Sequence, residues 1–253
     1  MWAGIIASNC VGGHTMPVEL KVSVALNFFA SGSFQASAGD LCGMSQAAAN
    51  HCFKVFIDAI FRSVHEFISF SVDNTSEANR ARGYAAIAGF PKVQGIIACT
   101  HVAIKAPMGQ PGAYVNGKNF HLTNVQLVCN YRQRMIQVCA RYHGSCHDSY
   151  LLRHSQVSGM FCTPESLDDW LLGDKKRWLM TLVRNLCTEF EKWYNESHTS
   201  TRAITERTIG IGMSGMFRRH TAHSPTCVSL MIVVCCTLHN VAIQRGKPYQ
   251  RRM

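Results

Sequence analysis

Acidic side chains are scarce in this 253-residue chain: 15 Asp and Glu stand against 25 Lys and Arg, a formal charge of +10. The imbalance points to a polyanionic partner, most simply nucleic acid, with an unspecialised basic surface as the plain alternative. Regular cysteine spacing is also lacking. Twelve cysteines are present without a single Cys-x-x-Cys pair, so spacing gives no support for a zinc site. Cys129, Cys139, Cys235 and Cys236 sit inside apolar runs, where free cysteine behaves as a small hydrophobe. The thiols read as reduced and the compartment as intracellular. Met1 to Cys10 lacks a basic n-region and a long apolar core, which argues against a signal peptide. The longest apolar run, Val228 to Leu238, is too short to span a bilayer, so a soluble protein with no membrane partner is expected. No stretch has the composition of disorder, and the apolar share is 47%. This length accommodates one sizeable domain plus a small helical one.

What is present begins with helical patterning. From Val18, the residues Leu20, Val22, Val24, Ala25, Leu26, Phe28 and Phe29 form a wide apolar face, broken at Ser31-Gly32-Ser33. A short helix from about Phe34 to Leu41 follows, with Gly43 as a left-handed stop. Ser45 is placed to N-cap a third helix running to Phe61. Two helices joined by a tight turn make a helix-turn-helix-like unit. If it reads DNA, Gln46, Asn50 and Lys54 share the face that would meet the groove; otherwise it is a small bundle that only packs on the main domain. Residues 71–83 are polar and read as a linker.

The centre of the chain reads as sheet. Gly95 to Pro107 is a run of β-branched and small apolar residues, closed by proline, with the character of a buried strand. His121 to Asn130 and Met135 to Arg141 are two more strands, linked by the polar turn Tyr131-Arg132-Gln133-Arg134. Together they make an antiparallel meander. The loop His143 to Ser149 puts Asp148 at the start of a helix, and Trp170-Leu171-Leu172-Gly173 ends in Asp174. Thr199 to Phe217 reads as a helix carrying Glu206, and Val228 to Gln244 as a buried terminal helix. Acids at strand ends together with a helical Glu can supply the hard oxygen ligands that Mg²⁺ or Mn²⁺ requires. Two such ions stabilise the attacking and leaving oxygens of a phosphodiester displacement. Each acid also has a structural alternative: Asp148 as a helix N-cap, Glu206 paired with Arg202 or Arg207.

These segments carry a family resemblance. Gly95-Ile-Ile-Ala-Cys-Thr-His-Val-Ala-Ile-Lys-Ala-Pro107 resembles the first catalytic strand of PIF/Harbinger transposases and of the harbinger transposase-derived nucleases. Tyr142 to Ser149 is similar to that family's Pro-Gly-Ser-x-x-Asp loop, with His143 in place of proline, and Leu171 to Asp174 to its Leu-Gly-Asp segment. Tyr194 to His198 with Ile204 to Thr208 resembles its Asn-x-x-His and Ile-Glu-Arg helix, and Cys236 to Asn240 its Leu-His-Asn helix. Ala30 to Gln35 resembles part of its N-terminal helical domain, and the likeness covers roughly residues 17–247.

The resemblance implies an α/β (α+β) RNase H-like DDE nuclease domain with a small N-terminal helix-turn-helix-like domain. It divides the chain into an unassigned stretch 1–16, helices over 17–70, the linker 71–83, the nuclease domain 84–247 and a basic tail 248–253. It further implies metal-dependent cleavage of DNA, with Asp148, Asp174 and Glu206 as catalytic metal ligands for Mg²⁺ or Mn²⁺. A Myb-like partner protein and residence in nucleus and cytoplasm also follow from it. The family's first catalytic Asp falls at Ala98. A methyl group cannot ligate a cation, Thr100 offers only a neutral oxygen, and Cys99 and His101 alternate away. Cleavage is therefore expected to be impaired or lost, the alternative being a non-catalytic DNA-binding or scaffolding protein. Gly210, Gly212 and Gly215 are expected to weaken the Glu206 helix by about 1 kcal/mol each.

Overall fold

The β-branched run at the centre of the chain does form the middle of a sheet. The computed structural model describes residues 2–7, 16–32, 39–40, 42–70, 74–109, 111–161, 169–173, 179–212 and 223–246. Strand β1 (Val93–Ala103) pairs antiparallel with β2 (Leu122–Cys129), which pairs antiparallel with β3 (Met135–His143). On its other side β1 runs parallel to β4 (Trp170–Leu172), and β4 parallel to β5 (Leu179–Met180), giving the order β3-β2-β1-β4-β5. The β2–β3 turn is the expected polar one: Asn130 Oδ1 accepts from the N–H groups of Arg132 and Arg134, each at 3.0 Å, and Gln133 takes a positive φ of 61°.

Helices cover both faces, as an α/β sheet buried on two sides requires. Helices α1 (Trp2–Ala7), α2 (Val18–Ser31), α3 (Gln46–Phe61) and α4 (Val64–Phe67) precede α5 (Asn74–Ala88). After β3 come α6 (Asp148–His154) and α7 (Gln156–Phe161); α8 (Glu189–Gly212) and α9 (Pro225–Gln244) close the described chain. One sheet face meets α5, α8 and α9. Ile96 packs with Tyr84, Leu172 and Ile204, and Val102 and Leu127 pack with Val228 and Ile232. The other face meets α6 and α7, where Ile97 and Val128 pack with Leu152 and Val157. Each such side chain removed from water contributes about 1.5–3 kcal/mol.

The N-terminal helices form where local signals place them. Gly32 stops α2 at φ 61°, its N–H bonded to Phe28 O at 3.0 Å. Ser45 caps α3 by accepting from Ala48 N–H at 3.3 Å. The short helix expected over Phe34–Leu41 falls largely outside the described residues. Phe28, Phe29, Phe53 and Phe56 share a core with Met231, Val234 and Cys235 of α9, so this bundle is packed on the last helix of the sheet domain.

Three expectations are corrected. Residues 74–83, read as polar linker, are the first part of α5. The helix is held by tertiary contacts that its weakly patterned sequence does not advertise. Tyr84 is fully buried and donates to Cys129 O at 2.7 Å, and a side chain at Gly83 would sit 2.5 Å from the Tyr131 ring. Second, α9 extends beyond the apolar run at both ends: at 20 residues with a mean hydropathy of 2.0, it is long and apolar enough to cross a membrane. Half of that stretch is buried inside the molecule, and its side chains build two of the clusters above, as in a core helix. Third, the cost expected of an interior glycine does not apply to all three: Gly212 is the last residue of α8, where a Cβ would lie 2.6 Å from the flexible end of Met135 and 3.3 Å from the His239 ring, and Gly215 lies outside the described residues.

Candidate active site

Ala98 lies in the middle of β1, opposite Leu127 of β2. Directly paired residues share a sheet face, so its methyl points toward the α8 and α9 side with Leu127. Thr100 follows on the same face, paired with Val125, while Cys99 and His101 pair with Gln126 and Asn124 on the α6 side. No carboxylate of β1 replaces the missing one, since Val93–Ala103 contains no Asp or Glu.

Asp148 is the first residue of α6, and its Oδ1 accepts from Asn124 Nδ2 at 2.9 Å. The same Asn124 amide donates to Cys146 O at 3.1 Å, which ties the loop to β2. The N-cap role open to Asp148 belongs instead to His147, whose Nδ1 accepts from Ser149 N–H at 3.2 Å. Asp148 therefore keeps an exposed carboxylate, oriented on one oxygen from the sheet. Within the loop, Ser145 Oγ donates to Ala113 O at 2.6 Å, and the ring of His143 packs 4.5 Å from that of Tyr114.

Glu206 is exposed on α8 and makes no ion pair among the described residues, so the expected alternative of a partner in Arg202 or Arg207 is not realised. Asp174 lies outside the described residues; the chain before it ends at Gly173, where a Cβ would stand 2.7 Å from Ile97 Cγ2. Among the described residues no three His, Cys, Asp or Glu side chains gather as a metal-binding group. Of the candidate DNA-reading residues, Gln46 and Lys54 are exposed and Asn50 is half-buried. Asn50 and Lys54 line a cleft of about 400 Å³ between α3 and the start of α9, walled by Phe53, Ile57, His223 and Leu230.

Two polar residues of β2 belong to none of the motifs, and the first of them, Asn124, is bonded to Asp148. Asn124 and Gln126 are fully buried on β2, yet Asn124 Oδ1 and both ends of the Gln126 amide make no hydrogen bond among the described residues. Buried amides left open in this way cost about 1–3 kcal/mol each, and functional sites are where such costs are tolerated. The signal was present: polar residues at alternate positions of an otherwise apolar strand. By contrast, motif residues from the resemblance prove to be structural ties. Asn195 Oδ1 accepts from Val183 N–H and its Nδ2 donates to Val183 O, both at 2.9 Å. His198 Nε2 donates to Met180 O at 2.9 Å, and His239 Nε2 donates to Gln133 O at 2.8 Å. Burial pushes the Cys129 and Cys235 thiols up to about 12, and Cys236 is raised as well, which leaves all three as inert packing groups.

A mixed sheet of this order with helices on both faces is the frame of the RNase H-like class. Comparison with known proteins makes this specific. Residues 97–240 match the DDE superfamily endonuclease family. The human protein named "Putative nuclease HARBI1" is 34% identical over 241 residues, covering 90% of this chain and 68% of that one, and the mouse protein of the same name matches equally. "Protein ALP1-like" of Arabidopsis thaliana is 24% identical over 262 residues, covering 91% of this chain and 62% of its own. No solved structure gives a significant match. The chain belongs to the Harbinger transposase-derived nuclease family, with a DDE endonuclease domain.

Proposed function

We propose that this chain binds DNA through a DDE endonuclease fold whose phosphodiester hydrolysis is impaired, and that it acts chiefly as a DNA-binding or scaffolding protein, in a nuclear setting. The observation that carries this reading is Ala98, in register at the centre of β1 where the family pattern has a carboxylate. DDE endonucleases generally use divalent metals, and the donors among the described residues do not fit a two-ion centre. Ala98 contributes a methyl, Asp148 gives one oxygen to Asn124, and Glu206 is exposed on α8, which packs on the opposite sheet face from α6. Without a carboxylate between the two cation positions, the charge that offsets paired divalent ions is reduced by one. The net charge of +10 supports DNA as partner by electrostatic attraction to phosphates. A Myb-like partner protein belongs to the same proposal, by family resemblance.

A second reading has support in the acids that remain. Asp148, Asp174 and Glu206 would hold a single Mg²⁺ or Mn²⁺ weakly and leave residual endonuclease activity. Duplex binding in EDTA and Mn²⁺ titration of the purified protein separate the two. The favoured reading expects metal-independent DNA binding and no saturable Mn²⁺ site. Mn²⁺ affinity abolished by Asp174→Ala would instead establish the single-ion enzyme.

A further inference from the structure

Beside Asp148, α6 and the end of β3 expose a basic and aromatic surface that the hydrolytic reading leaves unused. Tyr150 is 48% exposed and stacks on His154 with ring centroids 4.0 Å apart and planes 25° from parallel. The pair is an i, i+4 contact on one helix face. Tyr142 meets Tyr150 edge-on at 6.1 Å, and its hydroxyl donates to His154 O at 3.0 Å. The Arg141 guanidinium lies 5.3 Å over the Tyr142 ring. The rings are thus braced before any ligand arrives.

Charge on this surface is one-sided. Residues 141–161 carry Arg141, Arg153 and three histidines against the single acid Asp148. Arg141 donates to two neutral oxygens, Tyr142 Oη at 3.4 Å and His154 O at 3.5 Å, and Arg153 Nε donates to Ser149 O at 3.3 Å. Neither arginine makes an ion pair among the described residues. Two uncompensated guanidinium groups beside an open ring face suit a phosphate backbone and a base with a free π-face. Bases inside a duplex have no free face, so the occupant must be unpaired.

We propose that the Tyr150–His154 platform, flanked by Arg141 and Arg153, binds an unpaired DNA strand alongside Asp148. The proposal rests on the DNA-binding reading above and adds the strand type and the residues that hold it. Binding in EDTA tests it without any cleavage, using an unpaired oligothymidylate of about twenty nucleotides carrying one 2-aminopurine, a duplex of equal length, and polyglutamate. Expected is a loss of roughly ten-fold or more in single-strand affinity for Tyr150→Ala, with the 2-aminopurine quench abolished, while Tyr150→Phe stays within about two-fold of the natural protein. Arg141→Ala should weaken single-strand binding and lower its salt dependence. Tyr150→Ala binding the single strand as well as the natural protein overturns the platform, as does an equal loss toward duplex or polyglutamate, which would mark a general anion surface. A natural protein that binds duplex but keeps its single-strand affinity on Tyr150→Ala leaves the DNA reading standing. A natural protein that binds neither DNA refutes both.

Discussion

Two asparagines that face the same hairpin behave oppositely. On α9, Asn240 closes every bond it can reach: its Oδ1 accepts from Met135 N–H at 2.9 Å, and its Nδ2 donates to Met135 O at 2.7 Å and Phe67 O at 2.9 Å. On β2, Asn124 donates to Cys146 O and Asp148 but leaves its oxygen open, and its neighbour Gln126 closes nothing among the described residues. Both asparagines are fully buried. In this pair, the asparagine that ties helix to sheet is saturated, whereas the one bonded to Asp148 keeps an open oxygen.

The sharpest way to break this comparison is to remove the saturated member. Asn240→Leu strands both backbone groups of Met135 in the core, and it should cost about 3 kcal/mol in urea unfolding. A cost below about 1 kcal/mol would deny it the tying role. The reverse substitution on the open side, Gln126→Leu, should raise stability by about 1 kcal/mol, because it replaces an unpaired buried amide by an apolar side chain of similar size. Destabilisation instead would mean that Gln126 is already satisfied in the folded protein. A smaller effect comes from histidine burial. Burial lowers His223 and His239 below the ordinary value of 6.5, with the Gln133 carbonyl partly opposing this for His239. The unfolded chain then binds more protons as pH falls below 6.5, so thermal stability should decline between about pH 6.5 and 5, and His239→Gln should flatten part of that decline. A melting temperature level across that range would contradict it.

Legibility in the sequence followed the range of the interactions. The Ser45 cap, the Gly32 stop and the Asn130 turn were readable because each signal lies within four residues of its partner. The three antiparallel strands were readable because their apolar runs are bounded by turn residues. Helix α5 was hidden by a polar surface, since what fixes it is Tyr84 reaching Cys129, 45 residues away. Asn124 was hidden for the same reason, its partner Asp148 lying 24 residues on. Gly212 reads as a helix-interior glycine because the sequence does not show that it is the last described residue of α8, with Met135 and His239 beside it. Asp148, Glu206 and Ala98 were locatable by motif, but only the register shows Ala98 opposite Leu127 at the centre of the sheet.

The most direct test of the central claim is nicking of supercoiled DNA in Mg²⁺ or Mn²⁺ by the natural protein beside Ala98→Asp. The account predicts no nicking by the natural chain and recovery of activity in Ala98→Asp that Asp174→Ala then removes. Nicking by the natural chain, abolished by Asp174→Ala, would show that the remaining acids suffice and that Ala98 does not silence the site.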